Sequence, residues 1–161
     1  MKHQQSGFEF EVYDSIDALS KEDALLLNEA KQATQSAYTP YSNFQVGAMA
    51  RLANGKTVAG SNQENASYPV GLCAERVLLS AVSSLYPGIP IDTIAISYHN
   101  DNGSSNRPIS PCGICRQSLA EYESRFQQPI RLILAGMEGK VFIIPKAGLL
   151  LPLQFSGEDM K

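Results

Sequence analysis

Cys73-Ala74-Glu75-Arg76-Val77-Leu78-Leu79-Ser80-Ala81-Val82-Ser83-Ser84-Leu85-Tyr86-Pro87-Gly88, followed after Ile89-Pro90 by Ile91-Asp92-Thr93-Ile94-Ala95-Ile96-Ser97-Tyr98, decides the fold. In the first part Val77, Leu78, Ala81, Val82 and Leu85 recur at helical spacing, and Pro87-Gly88 stops the helix. The second part is a buried strand. A helix that feeds such a strand is the repeating unit of an α/β sheet.

The same alternation continues on either side. Downstream, Cys112 to about Phe126 is expected to be a helix, and Ile130–Ala135 and Val141–Ile144 are strands around a Glu138-Gly139 turn. Upstream, Val46–Ala53 and Lys56–Gly60 flank Asn54-Gly55, a two-residue hairpin signal that predicts an antiparallel pair. Ser20 followed by Asp23 opens an amphipathic helix that should run to about Tyr38, where Thr39-Pro40 stops it. Asn100 to Arg107 is polar and rich in Gly, Asn and Ser, and reads as a solvated loop. The expected architecture is a three-layer α/β/α sandwich around a mixed five-stranded sheet. It is read as one domain over residues 1–161, with 1–14 as a mobile N-terminal segment.

Composition narrows the function. The chain has 161 residues, is 43% hydrophobic and carries a formal charge of −3, with no cluster of Lys or Arg that could track a phosphate backbone. Nucleic acid is therefore not the expected partner, and no apolar run reaches membrane-spanning length. Polar Gln4, Gln5 and Ser6 stand where a secretion signal needs an apolar run. The three cysteines are an odd number that internal disulfides cannot consume, so a reducing, cytoplasmic setting is expected.

All three cysteines fall into one pattern. Cys73-x-Glu75 and Pro111-Cys112-x-x-Cys115 supply three soft ligands for a tetrahedral zinc and leave the fourth position open, which is a catalytic rather than a structural arrangement. Cys112 and Cys115 are spaced to point from one face of the first turn of a helix, whereas Cys73 and Glu75 must sit at the very start of theirs. Two helix N-termini then converge, and their free N–H groups favour thiolate. A redox dithiol at 112 and 115 is the competing reading, and a lone buried Cys73 a second. Neither accounts for the spacing of Glu75 or for Pro111. Three thiolates leave the centre negative, so Arg76 and Arg116 are candidates to donate hydrogen bonds to sulfur.

Cys73-Ala74-Glu75-Arg76 with Ser110-Pro111-Cys112-Gly113-Ile114-Cys115-Arg116-Gln117 resembles the cytidine deaminase family in its three-cysteine form. Tyr41-Ser42-Asn43-Phe44-Gln45-Val46-Gly47-Ala48 is similar to that family's segment before its first strand. Asn62-Gln63-Glu64-Asn65-Ala66-Ser67-Tyr68-Pro69 is similar to its nucleoside-binding segment, with Gln63 in place of the usual aliphatic residue.

The resemblance implies hydrolytic deamination of cytidine and 2′-deoxycytidine to the uracil nucleosides in pyrimidine salvage, with one zinc per chain. It implies Cys73, Cys112 and Cys115 as ligands and Glu75 as proton shuttle. Asn62 and Glu64 would bond the sugar hydroxyl, with Phe44, Ala66 and Tyr68 as further substrate contacts. It also implies a homotetramer in which Phe155, after Leu150-Leu151-Pro152, reaches a neighbour's pocket. Two other readings stay open at this level. One is a deaminase of another cytosine-headed compound, such as a nucleoside antibiotic. The other is a non-catalytic zinc-stabilised binding domain.

Overall fold

A computed structural model describes residues 1–161. In chain order the elements are β1 (Glu11–Tyr13), α1 (Lys21–Ala33), β2 (Phe44–Leu52), β3 (Thr57–Ser61), α2 (Ala74–Leu85), β4 (Ile91–Asn100), α3 (Gly113–Phe126), β5 (Arg131–Ala135) and β6 (Val141–Ile144). The sheet order is β1-β6-β5-β4-β2-β3, and only β4 and β5 pair in parallel. The crossovers β3-α2-β4 and β4-α3-β5 advance across the sheet in the same direction. A common handedness therefore puts α2 and α3 on one face.

Alternation along the central strands splits the core into two layers. Ala48, Ala50, Ile94, Ile96, Leu132 and Leu134 pack beneath α2 and α3. Ala95, Ile133 and Ile143 face α1 through Leu26, Leu27 and Ala30. Strands covered on both faces lose the polar alternation of a half-exposed sheet, which is why β4 and β5 read as apolar runs. The expected three-layer sandwich is present, with six strands in place of five.

The additional strand comes from the N-terminal segment. Glu11–Tyr13 pairs antiparallel with β6, and Phe10 packs its ring 5.1 Å from that of Phe142. A three-residue strand leaves too short a pattern to be seen in sequence, and the β6 backbone edge is what selects it.

Three local expectations shift for physical reasons. The α-helical part of the first helix ends at Ala33 in place of Tyr38, because the chain tightens into a 3-10 turn at Thr34–Ser36 and then pairs with another segment through Tyr38 N–H to the Asn62 carbonyl, 3.0 Å. The hairpin loop is longer than two residues. Gly55 alone adopts a positive φ of 80°, and its amide closes onto the Leu52 carbonyl at 2.9 Å, a turn followed by one left-handed residue. Leu85, expected on the buried stripe of α2, is 66% exposed, and Leu79 is buried instead.

The helix start read at Ser20 and Asp23 does double duty. Ser20 Oγ accepts from the Asp23 amide at 3.2 Å, capping α1. The Asp23 carboxylate then accepts two hydrogen bonds of 2.8 Å from the Arg131 guanidinium. That hydrogen bond holds the Asp23 carboxyl below the usual aspartate range against the opposing effect of burial. The bidentate pair ties the start of α1 to the start of β5.

Candidate active site

The sequence places Gly60 in β3 where nothing larger fits. A Cβ there would meet the Ala74 carbonyl oxygen at 2.5 Å, so β3 and the first turn of α2 lie in backbone contact. This close approach sets where α2 begins. Cys73 is the N-cap of α2 and Cys112 the N-cap of α3, and neither side chain caps its own helix. Both sulfurs are thereby free to face a common point, and Cys115 reaches the same point from the first turn of α3.

The Sγ atoms of Cys73 and Cys112 are 3.7 Å apart, those of Cys112 and Cys115 are 3.5 Å apart, and all three lie within 4.8 Å of one another. Zinc–sulfur bonds of about 2.3 Å at tetrahedral angles need sulfurs about 3.8 Å apart. Spacing and donor chemistry both fit zinc, with one protein-free corner. The thiols are not equivalent. The Cys115 thiol holds Cys73 down to about 6, against burial and the nearby Glu75 charge. Cys115 is pushed up by its bond to Cys73 and by burial. Positive helix ends assist the thiolate state.

Glu75 lies in the first turn of α2 and is only 5% exposed. Burial raises its carboxyl above the ordinary glutamate range, opposed by its own amide and by the Cys115 thiol. A carboxyl poised in this way can hold a proton and release it.

A cleft of about 570 Å³ opens over these groups, within the range that takes a small molecule. Cys73, Glu75 and Cys112 line it together with Asn62, Glu64 and Tyr68. Asn62 is occupied by the fold. Its Oδ1 accepts from the Val46 amide at 2.7 Å, and its Nδ2 donates to the Phe44 carbonyl at 2.9 Å. Glu64 Oε2 accepts from the Tyr41 and Ser42 amides at 3.0 and 3.3 Å. These hydrogen bonds, with one from the Ser42 hydroxyl, outweigh burial and lower the Glu64 carboxyl.

The remaining residues named from sequence are placed differently. Phe44 is outside the cleft lining and stacks on Tyr98, with centroids 4.9 Å apart and planes 17° from parallel. Ala66 is exposed beside the cleft rather than in its wall. Phe155 is 59% exposed, and its carbonyl accepts from Gln117 of α3 at 2.9 Å. Arg116 spends its guanidinium on the carbonyls of Pro111, 2.8 Å, and Leu150, 3.0 Å, and so braces the loop entering α3 against the C-terminal segment. Arg76 acts on the centre by charge, helping to lower Cys73.

The cleft also uses residues not singled out by sequence reasoning: Tyr41, Ser42, Val46, Leu72, Ile109 and Ser110. Tyr41, Ser42 and Val46 belong to the Tyr41–Ala48 segment, and Ser110 immediately precedes Pro111-Cys112, so position in those segments was the available signal. Leu72 had none. It enters because its backbone exchanges two 2.9 Å hydrogen bonds with Gln63, an isolated bridge that delivers the chain to Cys73.

The family model for the cytidine and deoxycytidylate deaminase zinc-binding region matches residues 20–127. The chain is 39% identical to a cytidine deaminase of Halalkalibacterium halodurans over 136 residues, 84% of this chain and 96% of that one. It is likewise 39% identical to a cytidine deaminase of Mycobacterium tuberculosis over 110 residues, 66% and 78% of the two chains. Among solved structures, cytidine deaminase from Burkholderia pseudomallei superposes with a TM-score of 0.72 at 36% identity, covering 85% of this chain and 100% of the other.

Proposed function

The chain belongs to the cytidine and deoxycytidylate deaminase family, and from that premise we propose that it is a zinc-dependent hydrolase that converts cytidine and 2′-deoxycytidine to the uracil nucleosides with release of ammonia. The observation that carries this reading is the buried Glu75 in the wall of a cleft, beside three convergent cysteines. Zinc held by Cys73, Cys112 and Cys115 supplies, when bound, the Lewis acidity that makes water a nucleophile near neutral pH. Glu75 takes a proton from the water that adds to C4 of the base. It passes that proton to ring N3, then takes the second proton from the hydroxyl now on C4 and delivers it to the departing amine as the C4–N bond breaks and the C4 carbonyl forms, serving alternately as base and acid.

The cleft lining favours a nucleoside over a nucleotide. It contains the carboxylates Glu64 and Glu75 and neither Lys nor Arg, so a 5′-phosphate would meet negative charge without a counter-ion. In this reading the Glu64 carboxylate accepts from a sugar hydroxyl, while Tyr68 offers an apolar wall. Asn62 holds the end of β2 beneath the same site. The purified protein should release ammonia from cytidine and deoxycytidine, and much more slowly from free cytosine and deoxycytidine monophosphate. Release confined to another cytosine-headed compound would replace this substrate assignment.

Glu64→Ala is expected to lower kcat/KM for cytidine by about 10- to 100-fold, because the substrate hydroxyl loses its acceptor in a partly dehydrated site. Free cytosine, which lacks the sugar, should be affected far less. An unchanged ratio of the two kcat/KM values would remove Glu64 from sugar recognition. The corresponding Asn62 variant is less informative, since its side chain also secures β2.

We further propose a homotetramer in which Phe155 closes a neighbour's cleft, working in cytoplasmic pyrimidine salvage. Support comes from apolar side chains left open near the site: Tyr68 at 73%, Val70 at 60%, Ile114 at 63% and Phe155 at 59% exposure. No helix is long and apolar enough to cross a membrane. Light scattering should find four copies, and a chain ending at Pro152 should bind cytidine more weakly. A monomer with full activity would defeat the shared cleft.

A further inference from the structure

The Asn100–Arg107 segment, expected to be a solvated loop, is anchored at its start to the Ser42–Gln45 stretch beside the cleft. At its start the Asp101 amide donates to the Asn43 carbonyl at 3.0 Å, and Asn102 Nδ2 donates to the Ser42 carbonyl at 3.1 Å. Gln45 Nε2 adds a bond of 3.2 Å to Asp101 Oδ2. The stretch these bonds grip is a tight turn in which Asn43 has φ 54°, the left-handed region. The other side of that turn carries the two amides, of Tyr41 and Ser42, that hold Glu64 Oε2.

Ser42 thus stands between two partners in one hydrogen-bonded chain. Its carbonyl is held by Asn102 and its amide donates to Glu64, so a tilt of the Ser42 peptides turns the carboxylate. The Asn102 side chain makes this one hydrogen bond, while its own amide donates to Asn100 Oδ1 at 3.1 Å. The antiparallel β2–β4 pairing that sets Phe44 opposite Asn100 brings the two segments together, and the Asn102 side chain adds the hydrogen bond to Ser42.

We propose that Asn102 is a positioning residue for substrate selection: by fixing the Tyr41–Asn43 turn, it aims Glu64 at the sugar hydroxyl. This rests on the nucleoside reading above and extends it to a residue outside the cleft. Asn102 touches neither the base nor the three cysteines, so its influence belongs in KM and in sugar discrimination rather than in the chemical step.

The test is a double-mutant cycle with Asn102→Ala and the isosteric Asn102→Asp, each made alone and with Glu64→Ala. Both single variants should keep zinc content, melting temperature and kcat, and raise KM for cytidine by about 2- to 10-fold, the span of one net hydrogen bond. In the Glu64→Ala background the same changes should have no further effect on KM. Activity on cytidine analogues lacking one sugar hydroxyl should reveal one analogue on which Asn102→Ala is silent.

An additive effect in the Glu64→Ala background, a fall in kcat at unchanged KM, or a KM for cytidine unaltered in both single variants overturns the proposal. A variant that loses zinc or melts early also overturns it, because the residue would then be structural. A wild-type protein that does not deaminate cytidine removes the underlying reading instead, and is distinguished at the first assay.

Discussion

Glu75→Gln is expected to retain its zinc and its fold while turnover of cytidine falls by about 10²- to 10⁴-fold, the contribution of a positioned general acid and base. The substitution preserves shape in a site where Glu75 is 5% exposed, so packing against α2 and the cleft wall survives. It removes a group that must accept a proton and then give one up. Burial already raises the Glu75 carboxyl above the ordinary glutamate range, whereas a glutamine amide cannot take up and release a proton. Because the same carboxylate serves addition and departure, both steps suffer. Steady-state kinetics with zinc analysis on the same preparation provide the check. Near wild-type kcat would assign proton transfer elsewhere, and loss of zinc would make the variant a structural one.

Cys112→Ala should lose zinc by more than about 100-fold in affinity, and activity with it. Even hydrogen-bond partners behind a metal ligand are worth about 10- to 100-fold, and this change removes a ligand itself. Cys112 is central to the group: its sulfur is 3.7 Å from that of Cys73 and 3.5 Å from that of Cys115. Only the sulfurs of Cys73 and Cys115 are then left to span the two helix N-termini, too few to hold the metal tightly. A metal that binds only the native state also stabilises it by mass action, so the melting temperature should fall toward that of chelator-treated wild type. Elemental analysis after dialysis, with melting curves in the presence and absence of chelator, reads both effects. Full zinc retention in the variant would mean that the metal is held by other residues.

The centre was legible because its chemistry is local. Cys112 and Cys115 share a helical turn, and Cys73 and Glu75 bracket a helix start, so spacing along the chain already specifies approximate directions. The walls of the cleft were less legible. Phe44 occupies a segment whose neighbours line the cleft, yet its ring is drawn onto Tyr98, a partner 54 residues away on β4 (98 − 44). The resemblance of the 62–69 segment implied a sugar contact for Asn62, and in the structure both ends of its amide hold the start of β2. Arg116 was read as a sulfur donor from its position next to Cys115, but two backbone carbonyls compete for it and hold it. In each case the decision depended on which unsatisfied polar or apolar surface lay within reach, and that is a property of the packed molecule.

By itself the sequence determined the α/β alternation, the helix starts at Ser20, Cys73 and Cys112, and the joining of three cysteines with one glutamate. Apolar period, caps and breakers act over a few residues and need no distant partner. Tertiary structure alone decided that residues 11–13 would complete the sheet, that Gly60 would let α2 touch β3, and that Asn102 would reach Ser42. Those outcomes depend on backbone groups and close approaches supplied by segments far away in the chain. Hydrogen-bond satisfaction and close packing select among such partners only after the layers have assembled.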